Sequence, residues 1–97
     1  MRMLTITWDE RKDSINRQKH GVSFIEARTV FLDEHARLIA DPDSSEDEDR
    51  FIILGFSERF RLLVVCHCYR ENDSIIRIIS ARKANRHEKN SYGSYRT

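Results

Sequence analysis

Three apolar runs follow one another between Phe51 and Ala81 with only short polar breaks, and this feature restricts the fold more than any other. Phe51 to Phe56, Leu62 to Tyr69 and Ile75 to Ala81 are of strand length and rich in β-branched and aromatic residues. Ser57-Glu58-Arg59 and Arg70-Glu71-Asn72-Asp73 have the length and polarity of hairpin turns. The runs therefore predict a meander of antiparallel strands. Such a sheet needs cover for its apolar side, and the flanking sequence offers helices to provide it.

Upstream, Leu4, Ile6 and Trp8 alternate with Met3, Thr5 and Thr7, the period of a first strand. Glu10 to His20 then reads as a helix that Gly21 ends, with Lys12, Asn16 and Lys19 at i, i+4 and i+7 on one face. Ser23 and Glu26 have the spacing of a capping box, and Phe24, Ala27, Val30 and Phe31 form the apolar stripe of a second helix, Phe24 to Leu32. Arg37 to Ala40 is a short strand leading into an acidic surface loop around Pro42. From Ala84 onward polar residues predict a third helix fraying toward Thr97; a start near Arg82 would stack Arg82 and Arg86. The predicted order is β-α-α-β-β-β-β-α. It describes one α+β domain over residues 1–97, an antiparallel sheet with N-terminal and C-terminal helices, and three glycines and one proline leave few other breaks.

A net charge of +1 conceals an uneven distribution. Six of the sixteen acids fall within Asp41 to Asp49, so the other 88 residues carry 17 basic and 10 acidic side chains, a balance of +7. A surface of that sign attracts polyanions. Arginine outnumbers lysine 13 to 4, and its planar fork grips phosphate in bidentate fashion. Cys66 and Cys68 are too close in sequence for an unstrained disulfide, and no apolar stretch suits a signal peptide or membrane span, which predicts a cytoplasmic protein with reduced thiols and no membrane contact.

Cys66-His67-Cys68 contains zinc's preferred ligand types, but a strand sends His67 to the face opposite the cysteines. The acidic run lacks calcium-loop spacing, so neither metal nor cofactor is expected. His67 is either a satisfied core histidine or a proton donor facing a substrate. Arg77 interrupts an apolar strand and must reach solvent, a carboxylate or a phosphate. Arg82, Lys83, Arg86 and Lys89 form a basic cluster near the start of the last helix, where the macrodipole disfavours cations unless an anion joins them. RNA cleavage needs only such groups: the 2′-hydroxyl attacks its own phosphate, arginines hold the developing charge, and His, Lys or Tyr moves a proton.

Trp8-Asp9, Lys12, Asn16, Lys19-His20-Gly21-Val22-Ser23-Phe24, Glu26-Ala27 and Val30-Phe31 resemble the opening of the BrnT toxins, and Arg77-Ile78-Ile79-Ser80-Ala81-Arg82-Lys83-Ala84 with Arg86 resembles their closing motif. The resemblance runs from about Trp8 to Tyr92. It implies a RelE-like fold and a type II toxin–antitoxin toxin, a metal-independent ribonuclease that arrests translation. It also implies a BrnA-type ribbon-helix-helix antitoxin, a 2:2 complex of the two, and operator DNA contacted only through that complex. Lys12, Arg82 and Arg86, with His67 and Arg77 added from the strand reading, are the candidate catalytic residues. Lys19, His20, Arg50, Lys83 and Tyr92 are the candidate RNA-binding residues. The expected groove lies between the sheet and the first and last helices. A non-catalytic nucleic-acid-binding or protein-interaction module with the same basic face is the alternative.

Overall fold

The computed structural model describes residues 5–40 and 50–96. Strand β1 (Thr5–Thr7) leads into helix α1 (Glu10–His20), helix α2 (Phe24–Arg28) and a 3₁₀ turn (Thr29–Leu32). Strands β2 (Arg37–Ala40), β3 (Phe51–Phe56), β4 (Leu62–Arg70) and β5 (Ile75–Lys83) follow, and helix α3 (Arg86–Arg96) completes the fold. This is the predicted element order. The expected acidic loop at 41–49, the strand start at Met3 and Leu4, and the end of the last helix at Thr97 lie outside the described residues.

Asp9 caps α1 by accepting from the backbone amides of Arg11 (2.8 Å) and Lys12 (3.2 Å), and those bonds hold its carboxyl below the usual range. Gly21 ends α1 in the left-handed region at φ 69°, its amide donating to the Arg17 carbonyl, a conformation open to glycine at little cost. Ser23 Oγ accepts from the Glu26 amide (3.1 Å), so half of the expected capping box forms. The other half does not, because the Glu26 side chain turns inward to Arg61 and Ser57. The continuous helix expected to Leu32 tightens after Arg28, where the Thr29 hydroxyl donates back to the Glu26 carbonyl (2.7 Å) and accepts from the Glu58 amide (2.9 Å).

The five strands lie in the order β1-β5-β4-β3-β2. From β2 to β5 the pairing is antiparallel, as the hairpin turns require, whereas β1 runs parallel to β5. No hairpin joins β1 to its neighbour, so the turn geometry that fixes the other directions does not bind it. β1 covers only Ile75 to Arg77 of its neighbour. Farther along β5 the Asn16 side chain of α1 takes over, donating to the Ala81 carbonyl (2.8 Å) and accepting from the Ala81 amide (3.1 Å). Asn16 is thus buried against the sheet edge. Lys12 and Lys19, which flank it in the same i, i+4, i+7 series, are exposed.

Alternation along β4 divides two cores. Leu63 and Val65 join Val22, Phe24, Ala27, Val30, Ile53, Ile78 and Ala81 under α2, while Val64 joins Leu54, Ala84 and Tyr92 under α3. α2 and α3 therefore pack on opposite faces of the sheet. Tyr92 locks α3 in place: it is buried, meets the Phe56 ring edge-on at 5.2 Å, and donates to Asp33 Oδ2 (2.7 Å). The same oxygen accepts from the Phe56 amide (2.8 Å), and Asp33 Oδ1 accepts from the His35 amide (2.9 Å). Burial raises the Asp33 pKa, but these bonds outweigh it and the carboxyl stays below its ordinary range.

Candidate functional site

β5 runs two residues beyond its expected end at Ala81, which places Arg82 on a strand rather than in the last helix. The Arg82–Arg86 helical stack consequently does not exist. Asn85 instead caps α3 in a reciprocal arrangement: its Oδ1 accepts from the Glu88 amide and Glu88 Oε1 accepts from the Asn85 amide, both at 2.8 Å. The cap holds Glu88 in front of Arg82. Arg82 Nη1 and Nη2 each donate to one Glu88 carboxylate oxygen at 2.8 Å, and Nη1 also donates to the Lys83 carbonyl at 3.3 Å. The ion pair keeps the Glu88 carboxyl below its usual range and the Arg82 guanidinium above its own.

A guanidinium has five N–H donors, and these contacts use three of them. Glu88 takes the end of the fork, leaving Nε–H and the second Nη2–H, which lie parallel along one side. That edge matches two oxygens of a phosphate. The Arg82 side chain is 42% exposed. Arg82 borders a polar depression of about 260 Å³ whose lining also includes His20, Arg50, Cys66 and Ser80. His20 arrives from the last residue of α1, Arg50 from the approach to β3 and Arg82 from β5. Three residues that sequence alone marked separately are thereby assembled on one surface.

The remaining candidates lie elsewhere. Arg77 is half-buried in β5 beside β1, where its charge helps lower the Asp9 pKa. Lys12 and Lys19 stand on the exposed side of α1, and Arg86 is exposed at the first residue of α3. Lys83 is exposed and lines a separate cleft. Tyr92 is buried with its hydroxyl committed to Asp33, and it lines the same cleft as Lys83. Glu88 went unrecognised in the sequence, although Asn85-x-x-Glu88 carries a capping spacing that marks it. Among the described residues no three His, Cys, Asp or Glu side chains are grouped to hold one metal ion.

His67 resolves in favour of the core: it is 0% exposed, between Phe31 (ring centroids 4.9 Å apart) and Phe51 (6.3 Å). Its Nδ1 lies 3.2 Å from the Val65 carbonyl and its Nε2 3.4 Å from Tyr69 Oη. No substrate atom can reach a ring enclosed in this way, so His67 is withdrawn as a catalytic candidate. Burial lowers its pKa from 6.5, opposed by the hydrogen bond to Val65. A folded-state pKa below the unfolded one means that the unfolded chain binds the proton first, so this contribution to stability is present above 6.5 and declines as pH falls through that value. Urea midpoints measured between about pH 7 and about pH 5 are expected to fall on acidification more for the wild type than for His67→Gln, and parallel curves would refute the neutral-core assignment.

Comparison with known proteins places this architecture. A sequence model of the family described as "Ribonuclease toxin, BrnT, of type II toxin-antitoxin system" matches residues 8–88. The chain belongs to the BrnT toxin family. Its fold is similar to that in the 1.1 Å crystal structure of the Brucella abortus ribonuclease toxin BrnT, with a TM-score of 0.65 and 22% identity over 87% of this chain and 100% of that one. No curated protein matches the chain. The BrnT match spans His20, Arg50, Arg82 and Glu88, so every residue of the depression and its positioning carboxylate falls within the family region. Most of α3 beyond Glu88 lies outside it.

Proposed function

We propose that this BrnT-family chain is a metal-independent endoribonuclease that arrests translation in the cytoplasm and is neutralised by a BrnA-type antitoxin. The observation that carries the reading is that Arg82, with one side of its fork left unused by Glu88, lines the same depression as His20. Arg82 binds two oxygens of the scissile phosphate and stabilises the charge that grows as the 2′-oxygen attacks phosphorus. His20 accepts the 2′-hydroxyl proton and later releases it to solvent, and the departing 5′-oxygen takes a proton from water as the P–O bond breaks. The products are a 2′,3′-cyclic phosphate and a 5′-hydroxyl. Arg50 binds the phosphodiester backbone beside the reacting group, and Lys12, Lys19, Arg77 and Arg86 supply wider attraction for the polyanion.

The antitoxin partner follows from family membership in a type II system. A ribbon-helix-helix partner that dimerises gives a 2:2 complex, and operator DNA is then bound through the antitoxin. The test is incubation of the purified chain, freed of antitoxin, with cellular RNA in excess EDTA. Fragments ending in 2′,3′-cyclic phosphate are the expected result. Intact RNA both in this assay and with translating ribosomes would leave the non-catalytic binding module as the reading.

A further inference from the structure

The turn between β3 and β4 holds a residue that neither packing nor backbone preference accounts for. Phe60 is 87% exposed and sits at φ 61°, a left-handed conformation that glycine or asparagine adopts more readily than a bulky side chain. The turn that presents it is firmly tied down. Phe60 donates its amide to the Ser57 carbonyl (2.9 Å), and Ser57 Oγ donates to buried Glu26 Oε2 (2.7 Å). Arg61 binds the same carboxylate through Nε (2.9 Å) and Nη2. A fixed turn thus presents an aromatic side chain to solvent from a backbone conformation it disfavours, the sort of outlier from which a functional role is inferred.

Phe60 forms one wall of a cleft of about 790 Å³, within the ordinary range of about 300–1,000 Å³ for ligand sites. Phe56 and Leu62 provide apolar surface, while Arg61, Lys83 and Lys89 are the charged residues of the lining, which contains no acid among the described residues. Glu26 neutralises Arg61, whereas the Lys83 and Lys89 ammonium groups have no carboxylate partner among the described residues. Exposed aromatic faces combined with unneutralised cations are the two requirements for holding a single strand of nucleic acid: bases stack and phosphates pair. Lys83 directly follows Arg82 in β5, so the end of one strand serves both this cleft and the depression of the candidate site.

We propose that this cleft is a second RNA subsite, where an unpaired base stacks on Phe60 while the adjoining phosphates pair with Lys83 and Lys89. The proposal rests on the ribonuclease reading and extends it to residues away from the reacting phosphate. Its test uses a single-stranded 2′-O-methyl RNA oligonucleotide, which lacks the attacking hydroxyl, with 2-aminopurine near its centre. Binding is followed by anisotropy and stacking by fluorescence quenching.

The wild type is expected to quench the probe. Phe60→Gly is expected to lose the quench and bind about tenfold or more weakly, while its thermal midpoint stays or rises because glycine relieves the left-handed strain. Phe60→Trp restores quenching, and Lys83→Ala and Lys89→Ala each reduce the salt slope by about 0.7. Unchanged affinity and quenching in Phe60→Gly, with wild-type cleavage of cellular RNA intact, would overturn the subsite alone. Loss of antitoxin binding without any change in RNA binding would also overturn it, in favour of a protein-docking face. A wild type that neither cleaves nor binds RNA would remove the ribonuclease reading together with the subsite.

Discussion

Arg82→Ala is expected to reduce RNA cleavage by about 10²–10³-fold, the typical loss when one donor aimed at developing transition-state charge is removed. The argument depends on how the fork is shared. Glu88 occupies the end of the guanidinium at 2.8 Å on both oxygens and fixes its plane, which leaves Nε–H and one Nη2–H directed away from the pair. Lysine offers a point charge without that planar edge, so Arg82→Lys is expected to recover only a small part of the loss. Folding should survive both changes. The pair is partly exposed, and in Arg82→Ala the Glu88 carboxylate keeps its bond from the Asn85 amide, so the stability cost should be about 1 kcal/mol or less.

Measurement of cleavage rates beside urea midpoints separates the two effects. An Arg82→Ala chain that is folded and cleaves at the wild-type rate would remove Arg82 from the site. Glu88→Gln provides a second check, since it leaves the Arg82 charge in place but weakens the contact that orients it. A smaller loss in rate than for Arg82→Ala is expected there.

The strands and helices were legible because each carries its own period. The alternation of Leu62 to Tyr69 and the stripe of Phe24, Ala27 and Val30 report burial that local sequence is sufficient to encode. The family, too, was legible from Trp8-Asp9 and the Arg77-to-Ala84 motif, and residues 8–88 match its model. The site was only partly legible, because the contacts that build it span the chain. Nothing local announces that Glu26 serves Arg61, 35 residues away, instead of closing its own capping box. Tyr92 looked like a surface group in a polar tail, and only the position of Asp33, 59 residues earlier, makes it a core residue. Arg82 was placed on the wrong element, because β5 continues through a polar stretch that reads as helix. Phe60 escaped notice since neither exposure nor a positive φ has a one-residue signature.

Asn16→Ala is expected to destabilise the fold by about 2–5 kcal/mol, although Asn16 stands between two lysines in a motif that looks functional. The side-chain amide donates to the carbonyls of Val22 (2.9 Å) and Ala81 (2.8 Å) and accepts from the Ala81 amide (3.1 Å). It acts as a short substitute for the strand that β1 does not provide beyond Arg77. Alanine leaves these backbone groups buried without their partner, and each unsatisfied group costs about 1–3 kcal/mol. Asn16→Asp tests the chemistry more closely, because a carboxylate still accepts from the Ala81 amide but repels the two carbonyls that the amide nitrogen served. It should be at least as damaging as alanine at neutral pH and less so once the carboxyl is protonated, since the acid regains a donor. Lys12→Ala, on the exposed side of the same helix, should fall within about 0.5 kcal/mol of the wild type. Urea unfolding at constant m-value reads all three, and a cost below about 1 kcal/mol for Asn16→Ala would show that α1 is held to the sheet by other contacts.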